Sequence, residues 1–305
     1  MEFTLAAIMR HAILGAGGIG GLIGAVLAKY GDKVTLVVRP EKLQTQPREL
    51  AVESTFGNFR VPVHVISEVM EDFDMLWVTT KATQLEGALS AVRSAAGLHT
   101  VVPLLNGVDH VQLLRERFGH DRVVPATIAV ESERVAPGVI AHRSPFVRFN
   151  AADMGRDRME PVMRKFSEFG FECKFIENEA TLLWSKLVFL APIALAGTAA
   201  GEPIGAIQGD PEAMAKLEAA VRETGAVATA SGATVEVEAV INAIRNLPGG
   251  MQSSMQKDVA AGRQPELDAI AGPILRGAEK HGLKVPVTAE YVETIRARLR
   301  AMPTT

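Results

Sequence analysis

The sequence predicts an α/β fold: a doubly wound parallel sheet over residues 1–177, followed by an all-helical domain over 178–305. Three observations predict it. The chain has 305 residues, more than one hydrophobic core usually serves, so two domains are expected. As far as Ile176, short apolar β-rich runs alternate with helical stretches. From Asn178 onward the β signals stop and apolar residues recur at helical spacing.

The elements follow in order. His11–Leu14 reads as a strand, Ile19–Tyr30 as a helix and Lys33–Val38 as a second strand, with Gly31-Asp32 as the turn between them. This βαβ unit implies a parallel sheet with a right-handed crossover. Leu50–Glu53 and Phe59–Val63, separated by Gly57-Asn58, read as a hairpin. Met75–Thr80 and Thr100–Leu105 are apolar enough for buried strands, with helices expected over Thr83–Ala96 and Asp109–Phe118. Val123–Val130 reads as a strand, and Val139–His142 and Phe146–Phe149 as an antiparallel pair. A helix over Pro161–Phe169 and a strand over Glu172–Ile176 complete the first domain. Helices are then expected over Thr181–Ala200, Pro211–Ala230, Glu236–Asn246, Leu267–His281 and Thr288–Arg300, punctuated by Pro248-Gly249-Gly250 and Gly282.

Composition narrows the function. Lys and Arg number 32 against 35 Asp and Glu, so there is no basic excess to hold a nucleic-acid backbone. Cys173 is the only cysteine, which excludes a disulfide framework and a cysteine-based zinc site within one chain. The seven histidines show no metal spacing. The longest apolar run, Leu187–Ala200, is too short for a membrane span and holds Pro192 and Gly197, so it reads as a buried core helix. With one thiol and no export signal, a reducing cytoplasm is the expected compartment. Residues Met1–Met9 read as an extension, with Met9 a plausible first residue.

The chemistry begins at Gly15-Ala-Gly-Gly-Ile-Gly20, a G-x-G-x-x-G turn between a strand and a helix. Gly15 allows the tight turn, Gly17 lets the backbone approach a pyrophosphate, and Gly20 lets the helix pack on the strand. The phosphates would sit at the helix N-terminus. This is the fingerprint of a Rossmann-type dinucleotide-binding domain. Gly20 is followed by Gly21-Leu22 and not by Lys-Ser/Thr, which argues against an NTPase. Arg39 ends the second β run, where an NAD enzyme places an acid against the ribose hydroxyls. An arginine there suits a 2′-phosphate, so NADP is the expected cofactor.

Further motifs follow in order: Thr80-Lys81-x-x-Gln84, Leu105-Asn106-Gly107, Trp184-x-Lys186-Leu187, Ser253-Ser254-Met255 through Asp258, and Glu266-Leu-Asp268. Read alone, Lys81 could be a loop residue, Asn106-Gly107 a turn and Ser253-Ser254 a helix cap. As an ordered set, with the glycine turn and Arg39, they resemble the ketopantoate reductase (2-dehydropantoate 2-reductase) family over Arg10 to about Ile295. The resemblance implies an NADPH-binding N-terminal domain, a helical C-terminal domain and a 2-oxo acid bound in the cleft between them. It implies that Lys186 protonates the ketone oxygen and that Glu266 assists it and holds substrate. It also implies that Ser254 contacts the substrate carboxylate, that Asp258 and Asn106 are further substrate-binding residues, and that Asn106 hydrogen-bonds near Lys186. Lys81 and Gln84, and Asn106 with them, would lie near the cofactor. A positioned lysine suits the chemistry, because reduction builds negative charge on the carbonyl oxygen.

The chain departs from the family where asparagines are common: Leu190, Ala194, Ile204 and Met251 stand there instead. A more apolar pocket is expected. The activity expected first is reduction of ketopantoate to pantoate in pantothenate biosynthesis. The alternatives are a related 2-oxo acid reductase with a more apolar substrate, or a non-catalytic NADP-binding regulator, which the retention of Lys186 and Glu266 argues against. A small molecule is the expected partner, and a homodimer is compatible with the sequence.

Overall fold

The computed structural model describes residues 8–94 and 97–301, so most of the expected N-terminal extension lies outside the described residues. The chain forms two compact units. One runs to Leu105 and resumes over His110–Glu177, and the other comprises Asn106–Asp109 and the chain from Asn178.

In chain order the first unit holds β1 (Arg10–Leu14), α1 (Gly18–Lys29), β2 (Lys33–Val37), β3 (Glu49–Ser54), β4 (Phe59–Pro62), β5 (His64–Ile66) and β6 (Phe73–Val78). It continues with α2 (Leu85–Leu89), β7 (Leu98–Pro103), α3 (His110–Phe118), β8 (Ala126–Ala129), β9 (Ser132–Ala136), β10 (Val139–His142), β11 (Arg148–Ala152), α4 (Arg156–Phe169) and β12 (Glu172–Ile176). The central sheet has the order β5-β2-β1-β6-β7 and every pair in it is parallel. Its inner strands are buried on both faces, which explains why they read as continuous apolar runs. The chain leaves β1 toward β2 on one side and returns as β6 on the other. The carboxyl ends of β1 and β6 therefore flank a topological switch point, where open α/β sheets bind ligands.

Two smaller sheets cover this core. One has the order β4-β3-β10-β9 and packs on α1; the other has the order β12-β11-β8 and packs on α4. The expected pairing of Val139–His142 with Phe146–Phe149 is corrected here. β10 pairs with β3 and β9, and β11 with β8 and β12, so the two runs sit in different sheets. Each run alternates as a half-buried strand should, but alternation does not select a partner. The helix expected over Thr83–Ala96 is also corrected. Beyond a single 3₁₀ turn at Ala82–Gln84, only Leu85–Leu89 is α-helical, and positions 95 and 96 lie outside the described residues. Leu85, Leu89 and Val92 have helical spacing and are buried, but Val92 forms a parallel bridge with Val69.

The second unit is helical: α5 (Glu179–Ala200), α6 (Ile204–Gln208), α7 (Pro211–Ala230), α8 (Val237–Arg245), α9 (Ser254–Ala260), α10 (Leu267–His281) and α11 (Pro286–Ala301). Asn178 caps α5 by accepting from Thr181 N–H at 2.7 Å, and Gly201 ends it at φ +78°. Among the described residues α5 is the one helix long and apolar enough to cross a bilayer, but it lies at the centre of this bundle with Leu187, Val188, Ala191 and Ala194 almost fully buried. Helices α7, α9, α10 and α11 all pack against it. The short α6 and α9 were not expected from periodicity, because each spans too few turns to show a period. The start of α9 is nonetheless written in the sequence. Ser253 and Gln256 form a reciprocal capping box, Gln256 N–H donating to Ser253 Oγ and Ser253 N–H to Gln256 Oε1.

Candidate active site

The glycine turn lies at the switch point of the first unit. Gly15 has φ +107°, and a Cβ on it would sit 2.7 Å from Thr80 N, so no other residue fits. The Thr79 hydroxyl donates to Gly15 O at 2.7 Å and reaches Leu14 O at 3.2 Å, tying the end of β6 to the turn. A Cβ on Gly20 would overlap Gly15 O and Thr79 Oγ1, as expected for the glycine that brings helix and strand together. A Cβ on Gly17 would meet nothing within 4 Å. Gly17 is the N-cap of α1, and no side chain caps that helix. The hydroxyl of Thr80 is buried with no hydrogen-bond partner. Open space at Gly17, an uncapped helix N-terminus and an orphaned donor beside it fit a dinucleotide pyrophosphate. Thr79 is a supporting residue that sequence reasoning missed; a hydroxyl at the end of an apolar strand was its only signal.

Arg39 follows β2 with its side chain about three-quarters exposed, and its Nε lies 3.2 Å from Glu41 Oε1. An exposed pair of this kind is worth little, so the guanidinium can exchange Glu41 for a phosphate at low cost. Lys81 is half-buried just past β6, where it opens the 3₁₀ turn Ala82–Gln84, and Gln84 is exposed at the end of that turn. Both follow the strand whose end closes the glycine turn.

The second unit brings together Lys186, Glu266 and Asn106. Lys186 lies on α5 beside buried Leu182, Leu183, Trp184 and Leu187. Burial strips water from its ammonium group and brings its pKa down to about 8, while the charge of Glu266 opposes that shift. Glu266 is the N-cap residue of α10 and is buried. Asn106 Nδ2 donates to Glu266 Oε2 at 3.1 Å. Asn106 reaches it because the segment Asn106–Asp109 packs with the helices: Gly107, at φ +84°, has its missing Cβ against the carbonyl oxygen of Ala269 in α10.

The remaining predicted residues lie on or near α9. Ser253, not Ser254, caps that helix, which leaves the Ser254 side chain exposed on the first turn. Asp258 is buried, and its Oδ1 accepts from Arg263 Nε at 2.8 Å, which ties the end of α9 to the following loop. Gln256 is a further residue that sequence reasoning missed. Its amide packs against Gly197 of α5 and donates to Glu202 O at 2.8 Å, locking α9 to α5. Leu190 and Ala194 follow Lys186 at one-turn intervals on α5. Ile204 N–H donates to Met251 O at 3.1 Å, so those two positions adjoin.

The family model described as "Ketopantoate reductase PanE/ApbA" matches residues 11–154, and that of its C-terminal domain matches residues 179–299. A 2-dehydropantoate 2-reductase of Caulobacter vibrioides is 30% identical over 293 residues, covering 94% of this chain and 98% of that one. One from Halobacterium salinarum is 29% identical over 304 residues, covering 96% and 99%. Among solved structures, D-mandelate dehydrogenase with NADH and anilino(oxo)acetate has a TM-score of 0.85 at 21% identity, covering 96% of this chain and 99% of that one. A PanE/ApbA family ketopantoate reductase from Ralstonia eutropha has a TM-score of 0.84 at 24% identity, covering 96% and 99%. These two structures show a shared fold. With both domain models matched and a full-length relative at 30% identity, the chain belongs to the ketopantoate reductase PanE/ApbA family and is an oxidoreductase of the 2-dehydropantoate 2-reductase type.

Proposed function

We propose that the protein reduces a 2-oxo acid to the 2-hydroxy acid with NADPH, and that 2-dehydropantoate, reduced to pantoate for pantothenate synthesis in the cytoplasm, is its first substrate. One observation carries the reading: a lysine with its pKa lowered to about 8, acted on by a carboxylate that an asparagine holds. The dinucleotide, when bound by Gly15, Gly17, Gly20 and Arg39 with Lys81 and Gln84 nearby, supplies the hydride. The protein supplies the rest. Lys186 Nζ gives a proton to the ketone oxygen as charge builds there, and is left neutral to be reprotonated from solvent. A lysine near 10.5 would be a poorer acid; one near 8 is still mostly protonated at neutral pH and releases its proton more readily. Glu266 keeps Lys186 charged against the cost of burial, and Asn106 fixes the Glu266 carboxylate. Ser254 is the proposed contact for the substrate carboxylate, and Asp258 supports α9 through Arg263. The experiment is to follow NADPH oxidation against a panel of 2-oxo acids; no activity with any of them would sink the reading.

A second reading, a more apolar 2-oxo acid, is favoured by α5 itself. From Leu187 to Gly197 that helix carries no polar side chain. A site that selects a hydroxylated substrate gains its discrimination from buried polar partners. In the same panel, a higher kcat/KM for a branched or aromatic 2-oxo acid than for 2-dehydropantoate would decide for this reading.

Arg39 is proposed to choose the cofactor. A guanidinium pairs with a phosphate through charge-assisted bonds worth about 1.5–3 kcal/mol. Arg39→Ala is expected to raise the KM for NADPH by roughly 10- to 100-fold, the same energy expressed as a ratio, and to leave NADH nearly untouched. Equal losses with both cofactors would remove the role.

A further inference from the structure

We infer that Arg276 is a positioning residue for proton transfer: it clamps the segment Asn106–Asp109 onto α10 and so sets Asn106 against Glu266. The inference rests on the reading of Lys186 as the proton donor.

Asn106 lies in a segment that groups with the helices and not with the elements that flank it in sequence. Its segment of four residues leaves the first unit, packs with the helices, and hands the chain back at His110. Three contacts along α10 hold it. At the start of the helix, Asn106 donates to Glu266. In the first turn, Gly107 fits against the Ala269 carbonyl, where any Cβ would overlap it. Farther along, Arg276 Nη2 donates to Asp109 Oδ2 at 2.5 Å, while Nη1 donates to Asp268 Oδ1 at 2.9 Å. The guanidinium reaches both carboxylates by lying across Gly272, where a side chain would displace it.

The geometry explains why the clamp matters for chemistry. Of the three contacts, the first is a single neutral donor on a carboxylate and the second is steric. The third is charged but solvent-exposed, so each pair in it is weak; it gains from one guanidinium bridging two carboxylates, which joins the segment to α10. Without it, Asn106 is restrained by its own bond to Glu266 and the fit of Gly107. Among the described residues Glu266 is the charged group that acts on Lys186. A Glu266 carboxylate that wanders holds Lys186 less well in its protonated form. Small misplacements of a reacting group are costly, up to roughly 10²-fold for about 1 Å.

The test is steady-state reduction of the best 2-oxo acid by the full-length enzyme with NADPH, as a function of pH. The variants are Arg276→Ala, Arg276→Lys and Asp109→Asn, each also in an Asn106→Ala background. Arg276→Ala is expected to lower kcat by roughly 3- to 5-fold, the scale of an exposed pair worth up to about 1 kcal/mol, with the KM for NADPH unchanged. Activity requires protonated Lys186, so it falls as pH rises through the pKa of that lysine. A weaker hold by Glu266 lowers that pKa, so the alkaline limb is expected to move to lower pH. Arg276→Lys keeps one charged contact and should recover part of the loss, and Asp109→Asn should reproduce it. In the Asn106→Ala background, Arg276→Ala should add little, because the two act through one contact. A purely structural role would lower the melting temperature without moving the alkaline limb. Unchanged kcat and limb in Arg276→Ala, or losses that simply multiply in the double variant, would overturn the inference. If Lys186→Ala is inactive while Arg276→Ala is normal, only the clamp is lost; if Lys186→Ala is active, the reading beneath it fails.

Discussion

Replacing Lys186 by alanine is expected to lower turnover of the best 2-oxo acid by roughly 10²- to 10⁴-fold, the usual contribution of a positioned acid. The reaction would otherwise make an alkoxide that cannot persist near neutral pH. A proton has to arrive with the hydride or just after it, and Lys186 is the group proposed to give one. Burial lowers its pKa to about 8, and the charge of Glu266 limits the fall. The direction sets the pH dependence. The donor must be protonated, so the reductive kcat should hold steady below about pH 8 and decline above it. Glu266→Gln removes the opposing charge and should move that decline to lower pH. Lys186→Arg should not rescue turnover, because a guanidinium does not release its proton in this range. Affinity for NADPH should be nearly unchanged in Lys186→Ala, since the proposed sites of its phosphates are the glycine turn and Arg39. Steady-state rates and a fluorescence titration of NADPH separate these effects. Near-normal turnover in Lys186→Ala would assign the proton to another donor.

Much of this arrangement was legible from residue patterns. The β1–α1–β2 unit was written in two apolar runs and three glycines; the structure repeats a separate steric requirement at Gly15 and at Gly20, and leaves open space at Gly17. The helices over Pro211–Ala230 and Leu267–His281 begin and end where the sequence placed them. Asp210 before Pro211 and Gly282 after His281 are strong boundary signals. What alternation and periodicity cannot convey is which partner a face meets. That is why β10 and β11 were paired with each other, and why β9, an exposed edge strand, was not seen. The site divided in the same way. Lys186, Glu266 and Asn106 stood out as motifs, and their roles came from the family resemblance. The residues that brace the glycine turn and the helices did not stand out: Thr79, Gln256 and Arg276 make contacts tens to hundreds of positions away, which no local pattern records. Ser253 and Ser254 show the same limit at close range. Their sequence announces a cap, but only the fold decides that Ser253 takes it and Ser254 is left facing solvent.

Asp32→Ala is expected to destabilise the first unit by about 3 kcal/mol, the scale of breaking a buried ion pair by removing one partner. Asp32 sits in the turn between α1 and β2 with its side chain 1% exposed. Its Oδ1 accepts from Lys165 Nζ of α4 at 2.5 Å and from Met9 N–H at 3.1 Å, and its Oδ2 lies 3.0 Å from His11 Nε2 of β1. Trp77 Nε1 of β6 donates to His11 Nδ1 at 3.2 Å. That bond assigns the neutral tautomer with its proton on Nε2, directed at Asp32. One carboxylate thus ties together β1, β6 and α4 and so braces the two strands that carry the glycine turn. Alanine would leave a fully buried imidazole donor unpaired, whereas Lys165, about an eighth exposed, could turn toward water. Burial alone would raise the Asp32 pKa, but the hydrogen bonds from His11, Lys165 and Met9 outweigh it and hold the carboxyl below its ordinary value. Its contribution to stability is therefore complete above the usual carboxylate range and is lost as pH falls through the folded-state pKa. The gap between the native protein and Asp32→Ala should be full at neutral pH and should shrink toward acid. Because Trp77 and Trp184 are the only tryptophans, denaturant unfolding in a Trp184→Phe background lets Trp77 report on the first unit alone. A gap well under 1 kcal/mol at neutral pH, the value of an ordinary surface substitution, or one that does not narrow in acid, would show that this network does not brace the nucleotide-binding strands.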